Sequence, residues 1–194
     1  MGAIADSLTR FLSANPRLAD LAARGGVTGL DRTEGYAGAM FGLLAVAVSM
    51  YTVVRTAGLA AEETDGRLTL LLANPVARAR ILARHALATL GGAVVLLTVA
   101  AVAMWTGTGA GLGPGAALAG TWNVLPLVVL SLAAAVLALG AAPRVVALVG
   151  AVPAVGGFLL KTVGTAMSAP AWVTGVSPFT HLAPVPLTSP NWAA

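Results

Sequence analysis

The residues whose types and order suggest work lie in one stretch. Glu62-Glu63-Thr64-Asp65-Gly66-Arg67 is followed by Leu68 to Leu72, then Ala73-Asn74-Pro75, then Arg78 and Arg80. Acids, an apolar cluster and bases in that order suit docking to another surface. A short amphipathic helix near 60–73 would hold Glu62 and Glu63 at its dipole-favoured amino end and set Leu68, Leu71 and Leu72 on one side. A solvated connector with charges placed by membrane topology has the same composition, and the pattern alone leaves both open.

Other constellations that could do chemistry fail on spacing. A phosphate-wrapping loop needs Gly-x4-Gly-Lys-Ser/Thr, but Lys161-Thr162 follows Leu160 in an apolar run. The glycines at 107, 109, 111 and 113 alternate without the spacing of a dinucleotide fingerprint. Gly175-Val176-Ser177-Pro178-Phe179 has Phe where a nucleophile elbow needs its second glycine. His85 and His181 are the only histidines, and neither has carboxylates at metal-ligand spacing. With no cysteine there is no thiolate nucleophile or Cys-based zinc site. No catalytic, cofactor or metal residue is assigned.

The elements that must position the docking stretch follow from composition. Of 194 residues, 58% are hydrophobic and 9% charged, and the mean hydropathy is +0.88. A soluble domain carries roughly 25% charged residues, so this chain is a membrane protein. The net charge of +4 is scattered, which argues against nucleic acid and makes the Arg positions a report on topology. A span needs roughly 20 apolar helical residues, and the sequence predicts four, near 36–57, 86–106, 118–140 and 145–167. Gly107 to Pro114, flanked by Trp105 and Trp122, makes the turn between the second and third. Pro153 and Gly156-Gly157 should kink the fourth, from which Lys161 should snorkel to the interface. Gly38 and Gly42 form a small-xxx-small pattern able to admit another helix. Thr98, Asn123 and Ser131 are expected to hydrogen-bond between helices or to backbone.

Arg55, Arg67, Arg78, Arg80, Arg84 and Arg144 fall on one side of this arrangement, which should be cytoplasmic. The expected organisation is an all-α polytopic bundle. Residues 1–35 form an extracytoplasmic amphipathic segment with short helices near 3–14 and 16–24, either solvated or at the membrane surface, and Asn15 capping the second. A four-helix region, 36–167, contains the cytoplasmic loop 58–85, and residues 168–194 lead outside toward a missing span. Met1 to Asn15 lacks the apolar core of a signal peptide, so a chain whose Met1 begins outside is expected to be a segment of a longer protein or a truncated reading frame. The Arg-, Ala- and Gly-rich composition points to a bacterial cell membrane.

Glu62-Glu63-x-x-Gly66-Arg67 with Leu70-Leu71-Leu72-Ala73-x-Pro75-Val76-x-Arg78 resembles the cytoplasmic loop of ABC-2 type exporter permeases, particularly the polyketide or tetronasin-type antibiotic exporters. Thr69 and Ala77 stand where that pattern has an acid and a Ser. Ser177-Pro178-Phe179-Thr180-His181, with Pro184 and Pro186, is similar to the outer segment before those permeases' last span.

The resemblance implies a permease that exports a hydrophobic or amphiphilic compound, its ATP bound and hydrolysed on a separate ATPase subunit. Glu62, Glu63, Gly66, Arg67, Leu70, Leu71, Leu72, Pro75 and Arg78 would then be the coupling element. It further implies that the chain is most of one six-helix half, completed by another half or a second copy. The competing class is a polytopic scaffold or assembly protein without transport. An intramembrane enzyme is disfavoured by the missing acid, base and nucleophile constellations.

Overall fold

The computed structural model describes residues 10–11, 14–16, 33–65, 77–108 and 113–182, with side chains in the first long helix from residue 40 onward. The long elements are α1 (Thr33–Thr64), α2 (Arg78–Thr108), α3 (Pro114–Trp122) and α4 (Leu125–Ala141). A 3₁₀ turn (Pro143–Val145) leads into α5 (Val146–Ala151), a π turn (Val152–Gly156) and α6 (Gly157–Ala166). Two short helices, α7 (Ala171–Gly175) and α8 (Pro178–His181), follow. Four helical runs are long and apolar enough to cross a bilayer: Met40–Thr64, Arg78–Gly107, Pro114–Ala141 and Pro143–Ala166. The fold is therefore an all-α polytopic membrane bundle.

The first two helices outrun their expected bounds. α1 continues past 57 to Thr64, and α2 begins at Arg78 instead of 86. No proline stops either extension, and the Ala-rich stretch after Gly58 favours helix. The 32 residues of α1 reach about 48 Å at 1.5 Å each, against a hydrocarbon core of about 30 Å. Of what reads as the connecting loop 58–85, residues 58–64 and 78–85 are helix.

The third span starts earlier than 118 and is built in two pieces. Pro126 in the first turn of α4 has no N–H to return to the Trp122 carbonyl, so the helix breaks there. Asn123 closes α3 by donating its backbone N–H to Ala119 O, 2.9 Å away. The fourth span shows the irregularity expected at Pro153 as a π turn, which absorbs the missing proline donor without ending the helix.

α1 packs most extensively on α4 and also on α5. That approach requires Gly150: a Cβ there would lie 2.8 Å from Ala135 Cβ and 3.0 Å from Val53 Cγ2. Gly150→Val should destabilise the bundle by roughly 1–3 kcal/mol through overpacking. Gly140→Ala, which meets nothing within 4 Å, serves as the control. Monodispersity after heating in detergent checks the pair, and equal losses would refute the close contact. At Gly42 a Cβ would also meet nothing within 4 Å, so no described helix of this chain approaches closely there. Gly38 lies on α1 ahead of the described side chains.

Burial is inverted relative to a soluble domain. Leu87, Leu137 and Leu148 are about 70% exposed, whereas Ser49, Thr52 and Thr56 are fully buried. Apolar surface faces outward because lipid tails surround it, and hydroxyls turn inward to find partners. Thr52 and Thr56 donate to Ser49 O and Thr52 O, at 2.7 and 2.9 Å. Thr98 likewise donates to Val94 O at 2.8 Å. The hydroxyls of Ser49, Thr89 and Ser131 are buried with no hydrogen-bond partner among the described residues.

Of the amino-terminal segment, little falls within the described residues. There Asn15 Nδ2 donates back to Phe11 O at 2.9 Å, closing the turn before it; the N–H groups it was expected to cap lie outside the described residues.

Candidate functional site

The two ends of the bundle differ in charge. At one end Leu59 and Ala60 of α1 pack with Ala135, Ala138 and Leu139 of α4 and with Val146, and Leu82 of α2 joins them. Within a few residues of these along the chain lie Arg55, Arg78, Arg80, Arg84 and Arg144. Here α1 and α2 form a helical hairpin, joined by two cross-links. Arg78 Nη2 lies 2.6 Å from Glu63 Oε1, and the His85 ring donates from Nε2 to the Arg55 carbonyl at 3.1 Å. His85 thus works as a structural tie at this end.

The placement of Glu62 and Glu63 differs from that expected of a separate helix over 60–73. They occupy the last turn of α1, which has no basic residue, and Arg78 opens α2, whose first turn has no acid. Each charge opposes its own helix dipole, at about 0.3–1 kcal/mol apiece when exposed. The Glu63–Arg78 pair relieves both conflicts at once. Glu62 is exposed, and no charged partner for it occurs among the described residues. Gly66, Arg67, Leu70, Leu71, Leu72 and Pro75 lie outside the described residues.

At the other end the chain turns back on itself. α6 ends in a Schellman-type reversal: Ser168 is left-handed at φ 54, and Ala169 N–H donates to Gly164 O at 2.8 Å. The returning α7 and α8 then dock on α6. Ser177 Oγ donates to the Gly157 carbonyl at 2.7 Å and accepts from Phe179 N–H at 3.3 Å, capping α8. Phe179 enters the cluster of Ala45, Val48, Ala93, Leu97 and Leu127 and meets Phe158 edge-on, with ring centroids 5.7 Å apart. Only glycine fits at 157, since a Cβ would come within 2.9 Å of Pro178 Cδ. Thr180 Oγ1 donates to Thr174 O at 2.7 Å, and the exposed His181 donates from Nε2 to Gly175 O at 2.9 Å. Ser177, Pro178, Phe179 and His181 therefore act together, as the fastener of a short helical hairpin.

Lys161, expected to reach toward the interface, is held by a specific contact. Its Nζ donates to the Phe179 carbonyl at 3.1 Å, tying α6 to the end of the returning hairpin. Neither this tie nor the His85–Arg55 one is visible as a motif, because each uses a backbone carbonyl that any residue would supply.

Four apolar spans, an inverted burial pattern and charge collected at one end define a multi-pass membrane protein. The family described as "Multidrug efflux system permease Rv1217c, C-terminal domain" matches residues 1–194, and the chain belongs to it. Membership makes it a transporter membrane component of the permease class. Neither a curated protein nor a solved structure matches the chain.

Proposed function

We propose that this chain is the membrane-spanning part of an ATP-driven exporter of the ABC-2 type, and that a separate ATPase subunit docks at the α1–α2 hairpin. The observation that carries the reading is the charge pattern there. Glu62 stands exposed at the unfavourable end of a helix that projects beyond the apolar layer, beside a Glu63–Arg78 staple that fixes its position. Placing a cationic group of a partner against Glu62 relieves the conflict with the helix dipole and contributes to binding. Glu63 and Arg78 position the site; Gly66, Arg67, Leu70, Leu71, Leu72 and Pro75 complete the coupling element in the resemblance. The basic end is cytoplasmic by the positive-inside rule, in a bacterial cell membrane.

Rigid helices carry the movement. Because α1 and α2 run unbroken from the docking end into the membrane, a displacement of the hairpin by ATP binding on the partner is transmitted to the spans as rocking. The cargo is a hydrophobic or amphiphilic compound, antibiotic-like in size and character, moved along an apolar bundle completed by another permease half or a second copy.

Tagged protein purified from mild-detergent membranes is expected to bring down an ATPase subunit whose activity is vanadate-sensitive. An intact, membrane-embedded chain that recovers none would favour the scaffold class instead.

A further inference from the structure

Lys161 is the one formally charged residue between Val145 and the end of the chain, and no Asp or Glu follows Asp65. It lies within the fourth span. At 1.5 Å per residue it stands roughly 25 Å along the helix from Arg144, near the opposite face of a core about 30 Å thick. An ammonium has three donors. One goes to the Phe179 carbonyl, and among the described residues no carboxylate pairs with it. A carbonyl satisfies a hydrogen bond but carries no formal negative charge, so among the described residues the ammonium has no counter-ion.

An ammonium near the face of the apolar layer gains from an anionic partner, and here the Phe179 carbonyl fixes its position. The Phe179 carbonyl that holds Nζ belongs to a hairpin anchored by Ser177, Gly157 and the buried Phe179 ring. The surroundings are those of an amphiphile boundary: Leu159 and Val163, next to Lys161 on α6, are about half exposed. Trp172, on the returning hairpin, is 76% exposed.

We infer that Lys161, held at the α6–hairpin junction, binds the anionic head group of an amphiphile, of the phosphate class, whose chain lies along α6. The remaining ammonium donors supply charge-assisted hydrogen bonds, stronger than neutral ones. Two sources share this chemistry, a resident anionic lipid and a passing cargo molecule. Only the cargo source rests on the exporter reading.

The test uses the full chain in lipid nanodiscs of phosphatidylcholine, titrated with dodecyl phosphate and, in parallel, with zwitterionic dodecylphosphocholine. Bound molecules are counted by native mass spectrometry. Dodecyl phosphate should bind with about tenfold or greater preference, a preference lost in Lys161→Gln and kept in Lys161→Arg. Equal binding of both amphiphiles to the wild type, or an undiminished preference in Lys161→Gln, would overturn the site. Lys161→Met repeats the test if the Gln variant is misfolded, and the wild-type comparison of the two amphiphiles needs no variant at all. A second arm adds phosphatidylglycerol. If it occupies the site and resists displacement, the source is lipid; if dodecyl phosphate displaces it and stimulates a co-purified ATPase, the source is cargo. Either result upholds the site, whereas failure to recover any ATPase counts against the exporter reading alone.

Discussion

In Glu62→Lys/Glu63→Lys, export should fall to background while the protein reaches the membrane in normal amount. The two expectations separate because the substitutions lie at the end of α1, beyond the most apolar part of the span, and add basic charge to an end where five of the described residues are arginines. By the positive-inside rule such a change reinforces insertion in the same orientation. Stability should change little, since the partly exposed Glu63–Arg78 pair is worth about 1 kcal/mol or less. In the proposed docking, by contrast, a like charge would face the partner's cationic group, and a loss of ATPase affinity of roughly tenfold or more is expected. The staple and the docking charge can be told apart. Glu63→Arg/Arg78→Glu restores the pair with its signs exchanged and should recover hairpin geometry; Glu62→Lys alone leaves the pair intact and should still uncouple. ATP hydrolysis and efflux measured together on these variants decide the matter: unchanged efflux in Glu62→Lys/Glu63→Lys removes the docking claim.

The bundle itself was legible because hydropathy and the bilayer's length requirement act through composition, to which single contacts contribute little. Helix ends were less legible. Arg55 and His85 look like boundaries to a count of charges, yet both sit inside helices, because helix propensity and not hydropathy governs the chain once it leaves the apolar layer. The break ahead of Pro126 carried a readable signal, a proline whose missing donor falls one turn into an apolar run. The structure sets Glu62 and Glu63 in the last turn of a helix, whereas in sequence they read as acids at the start of one. The dipole argument favours acids there, and a structure that sets them at the opposite end departs from local preference where a partner would gain from it. The motif Ser177 to His181 shows no chemistry in sequence. Its meaning depends on Gly157, twenty residues earlier, and on a Schellman reversal with Ser where glycine is usual.

That hairpin sets the second large effect. Phe179→Ala removes a ring that is 4% exposed and packed between α1, α2 and α4. Deleting such a ring costs about 3–5 kcal/mol in a soluble core, and lipid in place of water as the surroundings reduces this to roughly 2–4 kcal/mol. The loss should appear as local opening and not as collapse of the bundle, because the α1–α4 contacts around Gly150 do not involve the hairpin. Gly157→Leu reaches the same state by a different route, forcing Pro178 and Phe179 off α6. The chain has no cysteine, so one thiol can report on this segment alone. Ser177→Cys is close in shape to the fully buried Ser177 and should react slowly with a maleimide while the hairpin is docked. Adding Phe179→Ala or Gly157→Leu should accelerate labelling by at least about tenfold, with the spans still helical by circular dichroism. Because Lys161 is held by the Phe179 carbonyl, the same variants should also weaken its preference for dodecyl phosphate, by releasing the ammonium from its fixed position. Unaltered labelling in both variants would mean that the ring and the glycine do not fasten the hairpin, and the geometry that holds Lys161 in place would go with them.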